Sequence, residues 1–445
     1  MLALTDANNM YVSCERVFAP RMVGRPVVVL SSNDGACIAR SNEAKDLGVK
    51  MAQPWFQVKH LERTAGLIAV SANFELYSDM SARMMAVAAR FAPHQQVYSI
   101  DECFLDFEGV RGDRVAIGMK LRAAVLREVG LPTSIGFGRT KTLAKLANHV
   151  GKTADRKPGS YAPSLAQVCD FGTLTAAKLE AVLAATDVGS VWGVGKRISA
   201  KLQESGIETV LDFVRADAAA IRKKFSVVLE KTLLELRGTS CLEMSDVEDA
   251  PAAKQQILVS RSFGNAITQP AGIVEAISEF ASRAAEKLRH QQSAARAVGV
   301  FFTTSPFRPN DQQHSVNVTV PMVRPTADTR LLVETAVDAV RREFRSGFNY
   351  AKAGVVLVNL QPVSQHQGEL DLFASTEEAT LPPKDRTALM DAMDVLNRRF
   401  GRDSVRIGST TLASHDTDVR SWATRQERRS PRFTTRWDEM PVVKA

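Results

Sequence analysis

Three acids sit where an acid is costly. Asp6 interrupts the apolar run Leu2-Ala3-Leu4-Thr5, and Asp101 and Glu102 lie inside Val97-Tyr98-Ser99-Ile100-Asp101-Glu102-Cys103-Phe104-Leu105-Asp106-Phe107. A carboxylate in an apolar strand loses hydration and persists only when it is paired or binds a cation. The five cysteines are scattered without a C-x-x-C, and the seven histidines form no H-x3-5-H pair, so thiolate and imidazole zinc sites and disulfide frameworks are excluded. An all-oxygen set suits a hard ion, Mg2+ or Mn2+. Two such ions can clamp the attacking and leaving oxygens of an in-line displacement. Neighbouring strand residues face opposite ways, so Asp101 and Glu102 share one site only at a turn or strand end. The same acids also read as a helix cap at Asp6 and a solvated hairpin at 101–102, and spacing alone leaves both readings open.

Two basic features could hold phosphate. Lys141, Lys145, Asn148 and Lys152 recur at helical spacing, with Leu143, Leu146, Ala147 and Val150 on the opposite stripe. The polar face is expected to hold a triphosphate or a nucleic-acid backbone, although an ordinary solvated lysine face has the same pattern. Residues Asp187 to Gly206 read as helix-hairpin-helix, with Gly193-Val194-Gly195 as the hairpin and Lys196-Arg197 opening the second helix. Free N–H groups at that helix start, beside two cations, bind phosphate without reading bases; simple core packing is the alternative.

These residues need scaffolds, and the chain is long enough for about three domains at 445 residues. Its 45% hydrophobic content excludes a wholly disordered chain. Residues 1–165 read as mixed α/β, with strands predicted at Leu2–Ala7, Pro26–Leu30, Leu67–Ser71, Val97–Phe107 and Thr133–Phe137, and helices at Leu76–Phe91 and Arg114–Val129. Residues 166–240 read as helical, and the acidic stretch within 241–253 reads as a linker. Residues 254–362 spell β-α-β-β-α-β, the pattern of a four-stranded sheet backed by two helices. The remainder, 363–445, is polar apart from an amphipathic helix at Lys384–Phe400, and the arginine-rich stretch Arg420–Arg436 is expected to be loose. No apolar run has the length of a membrane span, and the start lacks a basic leader, so a soluble cytoplasmic protein without a membrane partner is expected. The formal net charge of +8 favours a polyanionic partner.

The sequence resembles the Y-family translesion DNA polymerases, and within them the bacterial UmuC subgroup. The likeness is carried by Asp6-Ala7-Asn8-Asn9-Met10-Tyr11-Val12-Ser13-Cys14-Glu15, Tyr98-Ser99-Ile100-Asp101-Glu102, Thr140-Lys141-Thr142-Leu143-Ala144-Lys145-Leu146-Ala147-Asn148 and Val191-Trp192-Gly193-Val194-Gly195-Lys196-Arg197-Ile198. Further strings are Ala44 to Met51, Glu75 to Ser81 and Ser430 to Arg436, in the expected order from residue 2 to about 436.

The resemblance implies a right-hand polymerase. Residues 1–165 would be the palm with a small fingers insertion at about 20–75, 166–240 the helix-hairpin-helix thumb, and 254–362 the little finger. It implies an error-prone translesion polymerase adding deoxynucleotides to a primer 3′ end, with two Mg2+ ions, or Mn2+ in their place. Asp6 and Asp101 would bridge both ions, Glu102 would be the third carboxylate, and the Ala7 carbonyl would complete a shell. Tyr11 matches the steric gate under the sugar. Met10 stands where Phe is usual, and Cys103 where Ala or Ser is common.

The family's Tyr-x-x-Arg pair in the fingers falls on Asn42 and Lys45, and its triphosphate lysine on either Lys152 or Lys157. Lys141, Lys145, Gly193, Gly195, Lys196 and Arg197 would contact DNA. Glu369-Leu370-Asp371-Leu372-Phe373 resembles the Gln-Leu-x-Leu-Phe peptides that dock on the sliding clamp, with Glu369 in place of Gln; a turn folded onto the body is the alternative. The tail would serve assembly with a UmuD′-like dimer and RecA. Nucleotidyl cyclases share the paired-carboxylate logic but lack the helix-hairpin-helix and the downstream domain. A non-catalytic DNA-binding scaffold recruiting repair partners is the non-enzymatic alternative.

Overall fold

The computed structural model describes residues 1–244, 253–364, 386–401, 403–409 and 422–442. These fall into two units: Met1–Ser31 with Gly35–Ala250 and Glu427–Ala445, and Ser32–Asp34 with Pro251–Gln426.

The first unit is built on β1 (Leu2–Ala7), which is buried throughout, with Leu2, Ala3, Leu4 and Ala7 apolar and Thr5 and Asp6 the polar exceptions. β2 (Val27–Leu30), β3 (Cys37–Arg40) and β4 (Ile68–Ser71) form a small separate sheet of order β3-β2-β4. β5 (His94–Val97), β6 (Glu102–Asp106), β7 (Thr133–Gly138) and β8 (Val168–Asp170) join β1 in the order β5-β6-β1-β7-β8. The single strand predicted over 97–107 is thus corrected to a hairpin. Tyr98 and Ser99 donate their N–H groups to the Glu102 carbonyl at 3.0 and 3.1 Å, which closes the turn that strand propensity alone concealed.

Behind this sheet lie the Phe74–Ala88 and Arg114–Val129 helices, on a core that includes Leu76, Met84, Leu105, Leu121 and Phe137. The Lys141–Arg156 helix covers β7 so closely that a Cβ on Gly136 would stand 2.0 Å from the Asn148 nitrogen, and one on Gly138 2.4 Å from the Ala144 nitrogen. Only glycine permits that approach. A helical cluster follows, in which Leu143, Leu146 and Val150 of the Lys141–Arg156 helix pack with Leu183, Leu202, Phe213 and Leu233.

The second unit is an antiparallel sheet of β9 (Ile257–Ile267), β10 (Ser293–Thr304), β11 (Ser315–Thr326) and β12 (Tyr350–Pro362) in the order β11-β10-β12-β9. The Pro270–His290 and Thr329–Glu343 helices bury Phe280, Leu288, Leu332 and Val340 with the apolar side of that sheet. This is the β-α-β-β-α-β order read from the sequence. The Thr387–Phe400 helix joins it through Arg289, whose two guanidinium nitrogens each lie 2.7 Å from an Asp394 carboxylate oxygen, and through an Arg386–Asp328 ion pair of 3.0 Å. Trp422 is buried edge-on against Phe280, with ring centres 5.5 Å apart.

The tail departs from the expected looseness at its described residues. Phe433 stacks on Phe18 at 4.7 Å, and Arg429 bridges to Ser71 beside β4, so residues 427–442 belong to the first unit. The arginines are paired rather than solvated: Arg428 meets Glu62, and Arg432 meets Glu439 at 2.8 Å. Composition reads such a segment as loose because some of its partners, such as Glu62 for Arg428 and Phe18 for Phe433, lie far away in sequence. Among the described residues no helix is long and apolar enough to cross a membrane.

Candidate active site

The motif after β1 is a change of direction. Ala7 donates its N–H to the Asp101 carbonyl at 2.9 Å, Asn8 donates to Pro132, and Asn9 adopts a left-handed backbone at φ 50°, a conformation Asn tolerates better than most side chains. The Met10–Phe18 helix begins there. Asp6 is therefore held at the end of β1, opposite Glu102 on β6 and Ser134 on β7. Asp101 lies in the β5–β6 turn, where its carboxylate accepts from the Ser99 hydroxyl at 2.6 Å, and Glu102 is the first residue of β6.

The three carboxylates repel one another. Burial, helped by the charges of Glu102 and Asp101, pushes the Asp6 carboxyl up to about 7 against the pull of Lys152. Lys152 Nζ lies 2.5 Å from Asp6 Oδ2, Asn148 donates to the same oxygen at 3.1 Å, and Lys145 Nζ lies 2.6 Å from Glu102 Oε2. The polar stripe of the Lys141–Arg156 helix thus faces the carboxylates. The helix seats its backbone over Gly136 and Gly138 of β7, while Leu143, Leu146 and Val150 pack with the helical cluster that follows, and this leaves the lysines turned toward the sheet's charged end. Lys141 is 6% exposed; its ammonium donates to Gln96 and to the Glu243 carbonyl and sits 5.4 Å from the Phe104 ring centre. Among the described residues no three of the His, Cys, Asp and Glu side chains converge as a ready ligand set. Asp6 and Glu102 lean to lysines and Asp101 to Ser99. The excess negative charge and the all-oxygen donors nevertheless fit a hard divalent cation.

Tyr11 flanks this centre. Burial raises its phenol, and the Asp101 charge raises it further. Its ring stacks on Tyr77 at 4.5 Å and 13° and meets Phe74 edge-on at 5.9 Å. Opposite Asn9, Lys45 donates to Asn9 Oδ1 at 2.5 Å and to Asn42 Oδ1 at 3.3 Å. Burial lowers the Lys45 ammonium to about 8, assisted by the charges of Arg156, Arg40 and Lys152. Four cations therefore share one region, of which sequence reasoning named Lys45 and Lys152 and missed Arg40 and Arg156. A signal for Arg156 was present, since it lies one helical turn after Lys152. Lys157 caps the end of the same helix and is exposed.

In the helical cluster Gly193 turns at φ 88°, Gly195 precedes the Lys196–Gln203 helix without a side-chain cap, and Lys196 and Arg197 are exposed. Trp192 meets Tyr98 edge-on at 5.4 Å, and Lys145 lies over both rings, 4.6 Å from Tyr98 and 5.2 Å from Trp192. The clamp-like residues Glu369, Leu370, Leu372 and Phe373 lie outside the described residues.

Residues 5–149 match the impB/mucB/samB family, residues 254–370 that family's C-terminal domain, and residues 387–443 a domain of unknown function. Protein UmuC of Salmonella typhimurium is 40% identical over 100% of both chains. DNA polymerase IV of Pelotomaculum thermopropionicum is 27% identical over 91% of this chain and 94% of its own. A solved Y-family DNA polymerase chimera of Dbh and Dpo4 shares the fold at a TM-score of 0.60 and 19% identity, covering 81% of this chain and 99% of the chimera.

Proposed function

The chain belongs to the impB/mucB/samB family and is a DNA-directed DNA polymerase of the translesion class, and we propose that Asp6, Asp101 and Glu102 form its catalytic centre with two Mg2+ ions. Its substrates are primer–template DNA and deoxynucleoside triphosphates, and its reaction requires a divalent cation. Its setting is DNA repair and SOS mutagenesis. The observation that carries the site assignment is the register of Asp6 against Glu102, with Asp101 in the adjoining turn and Tyr11 beside it.

Asp6, Asp101 and Glu102, with the Ala7 carbonyl, would hold the cations, and Mn2+ would substitute. Bound divalent ions supply Lewis-acid stabilisation to the attacking and leaving oxygens of phosphoryl transfer. The protein supplies the positioning. Lys45 and Lys152, with Arg40 and Arg156 nearby, offer cations to the triphosphate. The Tyr11 ring, supported by Tyr77 and Phe74, excludes a 2′-hydroxyl. The exposed Lys196 and Arg197 at an open helix start are suited to a DNA phosphate. Cytoplasmic location, a UmuD′-like dimer, RecA and a sliding clamp complete the proposal. The non-catalytic scaffold is not favoured, since all three carboxylates gather at one sheet end. Asp101→Asn is expected to abolish primer extension while leaving duplex binding intact; full extension by the purified variant would remove the site assignment.

A further inference from the structure

The segment that follows the second unit returns to the first and ends beside the residues that support Tyr11. Ser71 donates its N–H to the Arg428 carbonyl at 3.0 Å, and the Arg428 N–H donates to the Ser71 hydroxyl at 3.0 Å, so the tail extends the β4 edge. Two residues on, Asn73 caps the Phe74–Ala88 helix with its Oδ1 while its amide nitrogen donates to the Ser430 carbonyl (3.1 Å), the Ser430 hydroxyl (3.0 Å) and the Pro431 carbonyl (3.0 Å). The Ser430 hydroxyl then donates to Glu15 Oε1 at 3.0 Å, the oxygen that also accepts from the Tyr77 hydroxyl at 2.7 Å. Glu15 is 1% exposed and Tyr77 fully buried, so this carboxylate depends on those hydroxyls for its polar partners. The Tyr77 ring is the one stacked under Tyr11. Phe433 also stacks on Phe18, at the far end of the helix that carries both Tyr11 and Glu15.

We propose that residues 428–433 are a positioning strap for the nucleotide pocket: through Ser430, Glu15 and Tyr77 the tail holds the Tyr11 ring in place and so sets how strictly the enzyme rejects ribonucleotides. Ser430 touches no substrate and acts only through Glu15. The inference rests on Tyr11 being the sugar gate, and it gives a role to part of the region that matches a domain of unknown function.

The test measures kcat/KM for matched deoxy- and ribonucleotides with full-length Ser430→Ala, Ser430→Thr, Tyr11→Ala and the Tyr11→Ala/Ser430→Ala double variant, together with amide exchange over residues 10–18. Ser430→Ala is expected to lower the deoxy-over-ribo preference by roughly five-fold, the factor carried by one ordinary hydrogen bond. Thr, which keeps the hydroxyl, restores the preference, and Ser430→Ala adds nothing once Tyr11 is gone. A global loss of folded enzyme scales both substrates alike and leaves the ratio unmoved. If Tyr11→Ala loses selectivity while Ser430→Ala keeps it, the strap is overturned and the gate stands. If Tyr11→Ala itself keeps selectivity, the gate reading falls. The exchange data then judge the strap: faster exchange over residues 10–18 in Ser430→Ala upholds its hold on the helix, and unchanged exchange overturns it.

Discussion

Lys45 is a side chain whose charge responds to mild alkali. With its ammonium lowered to about 8 by burial and by Arg156, Arg40 and Lys152, it is cationic below that pH and loses its charge above it. In the proposed role Lys45 offers this cation to the triphosphate, so the KM for deoxynucleotide is expected to rise between pH 7 and 9 while kcat changes less. Lys45→Arg, which stays protonated, should flatten the rise. The stability sign is opposite. Between about 8 and the ordinary 10.5 the folded chain binds fewer protons here than the unfolded chain does, so this residue's contribution to folding grows as pH climbs through that window. A pH titration of KM for the wild type and Lys45→Arg checks the first statement, and urea unfolding across the same range checks the second. Lys45 was legible from its place in the fingers motif. Arg156 left a signal in its helical spacing from Lys152, but Arg40 left none, because its neighbourhood with Lys45 exists only after β3 and the Lys141–Arg156 helix converge.

At the scale of elements, the contact between β7 and the Lys141–Arg156 helix governs the site. That helix carries Lys145, Asn148 and Lys152 to the carboxylates, and its distance from the sheet is set by Gly136 and Gly138. The atoms a new methyl would strike at Gly136 are helix backbone, which cannot swing aside as a side chain does. Gly136→Ala is therefore expected to destabilise the first unit by more than about 3 kcal/mol and to reduce primer extension sharply. Urea unfolding and extension assays on the same preparation check both effects; a stable, active variant would show that the helix is free to shift. The glycines stand in the sequence without announcing this role, since β7 reads equally well as an ordinary buried strand. The β5–β6 turn had the same ambiguity. Its residues are apolar enough to continue a strand, and only the pairing of both arms reveals the hairpin that sets Asp101 in the turn and Glu102 at the start of β6.

For the whole molecule, the first unit is discontinuous, closed by residues that follow the second unit in sequence. Phe433→Ala removes an aromatic stack on Phe18 and should weaken that closure by about 1 kcal/mol. Hydrogen exchange is expected to quicken over Met10–Phe18 and Ile68–Ser71 and to stay unchanged over Pro270–His290, whose core is separate. Equal quickening in both units would contradict the division. The sequence by itself determined the family and most of the order of the elements, and it singled out Asp6, Asp101, Glu102 and Tyr11 as candidates, because strand and helix periods and short motifs are local properties of the chain. Tertiary structure alone decided which way the lysine stripe faces, which cations gather around Lys45, and that an arginine-rich tail docks beside β4. Those outcomes depend on burial, charge pairing and close backbone approach between segments as far apart as Glu15 and Ser430, whose separation in sequence carries no sign of their contact.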